Sequence, residues 1–172
     1  MSDALLVVDV IDDFRHEDGE VLLRSFRWRQ PSLVLALGDA RRRIPVVYAN
    51  DLRGRWDSDA PGFVADIRAN GLGKDLIGEV APQAGDLFVF KPRYSAFDST
   101  PLEILLRELD VDRVLLAGNT TEACVTQTAI AARELGFRVT VLAGCCATLD
   151  AQLEEIALNY LEHVVGARIT GI

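Results

Sequence analysis

The chain's 172 residues are 49% hydrophobic and carry 26 acidic against 18 basic side chains, a net charge of −8 at pH 7. That balance opposes a nucleic-acid backbone or an anionic membrane surface as the main partner, and the apolar runs are too short and too interrupted by charge to span a bilayer. With no basic secretory start at Met1-Ser2-Asp3 and three cysteines that form neither a disulfide framework nor a paired metal motif, the sequence predicts one cytoplasmic domain over residues 1–172.

In chain order, six short apolar runs are expected to be strands: 4–10, 44–50, 86–91, 113–118, 138–144 and 164–169. They are continuous and not alternating, as strands buried on both faces of a parallel sheet are, and most of the segments between them carry helical periodicity. The order strand, helix, strand predicts an open α/β sandwich. Arg41-Arg42-Arg43 ends the first helical pattern, where cations complement the helix dipole. Residues 51–80, with six glycines and prolines, read as a long loop holding one short helix. Thr100-Pro101-Leu102-Glu103 reads as a capping box with proline at the first helical position. At 114–136 an apolar run breaks at Gly118, a helix opens at Cys124, and Gly136 stops it. Asp150 is placed to cap a last helix over 151–162.

Ligands of open parallel sheets bind beyond the carboxyl ends of the strands. Four reactive residues fall there: Asp9, Asp51, Lys91 and Cys124. A thiol at a helix N-terminus is expected to be stabilised as the thiolate, which points to a cysteine hydrolase. Its base is not expected to be histidine, since His16 lies in a polar loop and His163 closes a helix away from this rim. Asp9 is the available base, with Lys91 as the cation that lowers the thiol pKa and holds the carboxylate.

The segments LLVVDVIDDF, VFKPRYSAF and LLAGNTTEACV resemble those of the isochorismatase-like cysteine hydrolases, which include nicotinamidases, N-carbamoylsarcosine and ureidoacrylate amidohydrolases and isochorismatases; the likeness covers nearly the whole chain. The resemblance implies a Rossmann-like three-layer αβα sandwich on a six-stranded parallel sheet, an Asp9–Lys91–Cys124 triad and a homo-oligomer. It also implies a cis peptide between Asn119 and Thr120, with the Thr120 and Cys124 backbone N–H groups forming an oxyanion hole. Nicotinamidases of this family bind a metal through an aspartate and histidines after the second strand. Asp51 matches the aspartate, but Arg53 stands where a histidine would, and none occurs from 17 to 162. No metal and no cofactor are therefore expected.

The implied reaction is cleavage of a C–N bond in a small amide, ureido or carbamoyl compound through a thioester, since isochorismatases proper cleave a vinyl ether and need no thiol. Phe14, Asp51, Arg53, Trp56, Tyr94 and Phe97 are the substrate-binding candidates, and Arg53 and Arg55 are suited to a substrate carboxylate. The alternatives are a vinyl-ether hydrolase, a catalytically silent scaffold, and a phospho-receiver domain in which Asp12 and Asp13 hold Mg²⁺ and Asp51 takes the phosphate.

Overall fold

A computed structural model describes residues 2–51 and 53–171. Strands β1 (Ser2–Val8), β2 (Val46–Asp51), β3 (Leu87–Lys91), β4 (Val111–Asn119), β5 (Arg138–Ala147) and β6 (Arg168–Thr170) form one all-parallel sheet in the order β3-β2-β1-β4-β5-β6. Strand side chains alternate between faces. Ala4, Leu6 and Val8 of β1 join the core on one side and Leu5 and Val7 the core on the other, all at most 1% exposed. Two buried faces explain the unbroken apolar run, and each such side chain contributes about 1.5–3 kcal/mol on burial.

Helices α1 (Gly19–Ala40), α2 (Ala60–Asn70) and α3 (Lys74–Val80) cover one face through Phe26, Leu33, Phe63 and Ile77. Helices α4 (Leu102–Glu108) and α5 (Thr126–Glu134) cover the other through Leu106, Ala129 and Ala132, joined by Leu158 of α6 (Ala151–Tyr160). Among the described residues, no helix is long and apolar enough to cross a membrane.

Local structure corrects the sequence reading in four places. Residues 51–80 hold two helices, not one. The side chain of Asp59 caps α2 by accepting the Gly62 N–H at 2.7 Å, and Gly71 and Gly73 divide α2 from α3. Gly73 is small because the Phe14 ring packs against it: a Cβ there would lie 2.7 Å from that ring. The last strand is shorter than expected, since Leu161–Val165 continue α6 as a π-helical turn that ends at left-handed Gly166. Pro101 sits at the N-cap of α4, and the Thr100 hydroxyl accepts the Leu102 N–H at 3.2 Å, so the capping box to Glu103 does not form. Arg41 does more than follow a helix end. Its guanidinium is 2.7 Å from Asp86 and donates to the Tyr48 hydroxyl and the Ala81 carbonyl, tying α1 to the approach to β3.

The chain runs from β1 outward to β2 and β3, then returns to β4 on the other side of β1, so the order reverses between β1 and β4. Gly118 makes the close approach there: it sits at φ 128°, and a Cβ would lie 2.0 Å from the Val8 carbonyl oxygen. This is the crevice where such sheets bind ligands.

Candidate active site

Asp9 follows β1 directly, with a left-handed backbone (φ 50°) that is costly for a residue with a Cβ. It is held from three strands. Its N–H donates to the Ala49 carbonyl at 3.0 Å, its carbonyl accepts the Asn119 Nδ2–H at 3.0 Å, and its Oδ1 accepts the Asp51 N–H at 2.6 Å. Its Oδ2 lies 2.7 Å from Lys91 Nζ. Lys91, with no exposed surface, also donates to the Arg93 carbonyl at 2.9 Å and lies 3.5 Å from Cys124 Sγ. The Cys124 thiol is itself hydrogen-bonded to Asp9. Residues that follow β1, end β3 and follow β4 thus meet as one cluster around the buried Lys91.

Cys124 lies within a five-residue π-helical turn, Thr121–Val125, that precedes α5. The Ala123 and Val125 N–H groups donate to the Thr120 carbonyl at 3.1 and 3.2 Å. Glu122 accepts the Leu149 N–H and the Thr148 hydroxyl, while the Thr121 hydroxyl donates to Glu154, which pairs with Arg29 of α1 at 2.9 Å. The peptide between Asn119 and Thr120 is cis.

The thiol does not rest as a stabilised thiolate, contrary to what a helix-start cysteine suggests. Burial, reinforced by the Asp9 charge, pushes it up to about 12, against the opposing pull of Lys91. Burial also raises the Asp9 carboxyl above its ordinary range, with Lys91 acting the other way. Burial alone would lower Lys91, but the facing Asp9 carboxylate outweighs it and leaves the Lys91 pKa raised. A thiol pushed up to about 12 keeps its proton on sulfur near neutral pH.

A cleft of about 260 Å³ opens on Cys124, walled by Asp9, Asn119 and Thr120 on one side and by Asp12, His16, Asp51, Arg53 and Tyr94 elsewhere. A roomier hollow of about 370 Å³ between α2 and β3 is lined by Pro61, Val64 and Phe88 and carries no nucleophile. Chemistry, not size, selects the site.

Of the six substrate-binding candidates, Asp51, Arg53 and Tyr94 line the cleft. Phe14 does not: a positive φ and the Asp12 side chain, which accepts its N–H, turn the ring inward against Phe26. Phe97 stacks on Phe137 in the opposite core, and Trp56 is 78% exposed outside the cleft. Arg55 reaches Asp66 at 2.8 Å and covers the Phe63 ring. The sequence reading named Asn119 only for the cis peptide and Asp12 only in the phospho-receiver alternative, and passed over His16 as loop; all three line the cleft. Asn119 is 2% exposed, and its Oδ1 has no hydrogen-bond partner; such an orphaned acceptor costs about 1–3 kcal/mol, a sign that the amide is kept for what its Nδ2 holds. A polar residue ending an apolar strand beside the nucleophile was the available signal.

The residues present do not fit a metal. Asp51 Oδ1 accepts the Arg53 N–H at 2.6 Å, and the Arg53 guanidinium pairs with Asp12 at 2.6 Å, so an internal cation already sits among these carboxylates. Among the described residues, no three His, Cys, Asp or Glu side chains converge as a metal site needs.

The molecule is a doubly wound parallel α/β protein with a carboxylate, an ammonium and a thiol gathered at its switch point. The chain belongs to the isochorismatase family: residues 3–171 match the Isochorismatase domain. It is 34% identical over 168 residues to an uncharacterized isochorismatase family protein of Bacillus subtilis, covering 97% of this chain and 92% of that one. It is also 33% identical over 117 residues to the maleamate amidohydrolase of Pseudomonas putida, covering 68% of this chain and 54% of that one. The crystal structure of the nicotinamidase from Staphylococcus aureus superposes with a TM-score of 0.75 at 28% identity, covering 99% of this chain and 100% of that one. Family membership sets aside the phospho-receiver alternative, whose supposed Mg²⁺ ligand Asp12 is instead buried and paired with Arg53.

Proposed function

We propose that the protein is an amidohydrolase that cleaves a C–N bond of a small amide, ureido or carbamoyl compound through a thioester on Cys124. The observation that carries this reading is the single cluster of Asp9, Lys91 and Cys124, with Nζ 2.7 Å from the carboxylate and 3.5 Å from sulfur at the floor of a cleft. The amidohydrolase and nicotinamidase relatives support the same bond type.

Asp9 takes the thiol proton as sulfur attacks the carbonyl carbon. A thiol raised to about 12 gives up its proton during attack and not before it. The carbonyl π electrons move to oxygen, where the Thr120 and Cys124 backbone N–H groups stabilise the oxyanion at about 3 kcal/mol per donor. Collapse breaks the C–N bond, and Asp9 passes its proton to the departing nitrogen. Asp9 then deprotonates a water that attacks the thioester, releasing the acid and regenerating the thiol. Lys91 holds Asp9 oriented throughout. Asp51, Arg53 and Tyr94 contact the substrate, and copies of the chain assemble as a homo-oligomer.

Ammonia release from a panel of small amides, ureas and carbamoyl compounds, maleamate among them, tests the proposal. Cys124→Ala is expected to abolish turnover while the protein stays folded. Turnover that survives in Cys124→Ala, or activity confined to a vinyl ether, overturns it.

A further inference from the structure

We infer that Arg53 is a preorganised carboxylate-binding group, so that the preferred substrates are short amides or ureides whose other end is a carboxylate; this rests on Cys124 being the acyl-transfer nucleophile. Arg53 lines the same cleft as Cys124. Its backbone is left-handed (φ 49°), and its N–H is fastened to Asp51 Oδ1 at 2.6 Å. A non-glycine residue held in that region beside a nucleophile is the kind of local cost that functional sites carry.

The guanidinium is aimed from behind. Asp12, 3% exposed, gives Oδ1 to the Phe14 N–H at 2.7 Å and Oδ2 to Arg53 Nη2 at 2.6 Å, with His16 Nε2 3.4 Å from the same oxygen. Both Asp12 oxygens are thereby spent inward. Arg53, 34% exposed, keeps most of its five N–H donors, its Nη1 lying 3.7 Å from Asp13. A guanidinium fixed in this way loses little freedom on pairing bidentately with a carboxylate. Of the other charges at the cleft, Asp9 faces Lys91, while Asp51 turns one oxygen to the Arg53 N–H and keeps its charge. Arg55, the other candidate, is turned to Asp66 and Phe63.

The cleft is small, about 260 Å³, which suits a short substrate.

Succinamate and succinamide differ at one end only, as carboxylate against neutral amide. The wild type is expected to prefer succinamate at least tenfold in kcat/KM. Arg53→Met is expected to erase that preference, mainly through KM for succinamate, with Arg53→Lys intermediate. Because Arg53→Met strips Asp12 of its partner, the double variant Asp12→Asn with Arg53→Met removes both charges and keeps the test readable if the single variant unfolds. Calorimetric binding of succinate, expected for the wild type and lost with Arg53, is the readout that does not depend on turnover. Equal use of both amides, or a preference that survives the loss of Arg53, overturns the inference. If neither amide is hydrolysed, the nucleophile reading fails for this class, while Arg53-dependent succinate binding still sustains the carboxylate site and its absence overturns it.

Discussion

Replacing Lys91 by methionine keeps the length of the side chain and removes its charge from a place where solvent cannot replace it. Lys91 has no exposed surface, and the Asp9 side chain is only 14% exposed. Breaking a buried ion pair from one side leaves the other charge uncompensated, at a cost of about 3–5 kcal/mol. That is a large share of the roughly 5–15 kcal/mol by which a domain is stable. The sign of the pH dependence follows from Asp9. Burial already raises its carboxyl above 3.8 against the pull of Lys91, so losing Lys91 raises it further. An acid whose folded pKa lies above its unfolded value destabilises the fold only when it must ionise. The Lys91→Met penalty is therefore small near pH 4, grows as pH rises toward the new Asp9 pKa, and then levels off. Lys91 itself is raised above 10.5 and stays charged across this range in the wild type. Urea midpoints for both proteins at pH 4.5, 6 and 7.5 measure it, with turnover expected to fall most where Asp9 holds a proton. A penalty below about 1 kcal/mol, or one that does not change with pH, refutes the pairing of Asp9 with Lys91 as the source of the site's electrostatics.

Two further outcomes test the thiol and the strand junction. Iodoacetamide should label Cys124 slowly at pH 7 and ever faster beyond pH 9, because the thiol is pushed up to about 12; Asp9→Asn removes a charge that raises it, and should label faster at neutral pH while losing turnover. A labelling plateau near pH 7 in the wild type means a preformed thiolate and sinks the role of Asp9 as base. Gly118→Ala puts a Cβ 2.0 Å from the Val8 carbonyl at φ 128°, and should cost more than about 4 kcal/mol, read as loss of soluble folded protein. A variant melting within a few degrees of the wild type contradicts the close packing of β1 on β4.

Strands were legible because both faces of the sheet are covered, which forces every position of β1 from Ala4 to Val8 to be apolar. The meeting of Asp9, Lys91 and Cys124 was legible because parallel strand ends share one rim, so sequence position after a strand becomes position in space. What lay beyond reach depends on backbone angles and approach distances that composition does not encode. The glycines near 71 and 73 read as loop, but they divide two helices and admit the Phe14 ring. Phe14 and Phe97 were aromatic residues near the rim with equal claim to face it; a positive φ at Phe14 and stacking on Phe137 sent both inward. Asp12 looked like a metal-binding partner of Asp13 and turned out to be a buried acceptor for Arg53.

The same limit explains the thiol. A cysteine at the opening of a helix suggests a lowered pKa, because the helix dipole is visible in sequence while the depth to which the thiol is buried is not. Burial, reinforced by the Asp9 charge, reverses the expectation, and the reversal fits the proposed general-base mechanism. A free thiolate beside Lys91 would be a stable ion pair that must be broken to attack. A protonated thiol hydrogen-bonded to a carboxylate whose own pKa is raised needs a smaller uphill proton transfer than one facing an ordinary carboxylate, by 1.36 kcal/mol for each unit of that rise. The left-handed backbone at Asp9 and its bonds to Ala49, Asp51, Asn119 and Lys91 fix that carboxyl group in place beside the thiol. The strand reversal at β1 and β4 is what brings these holding groups to a single residue.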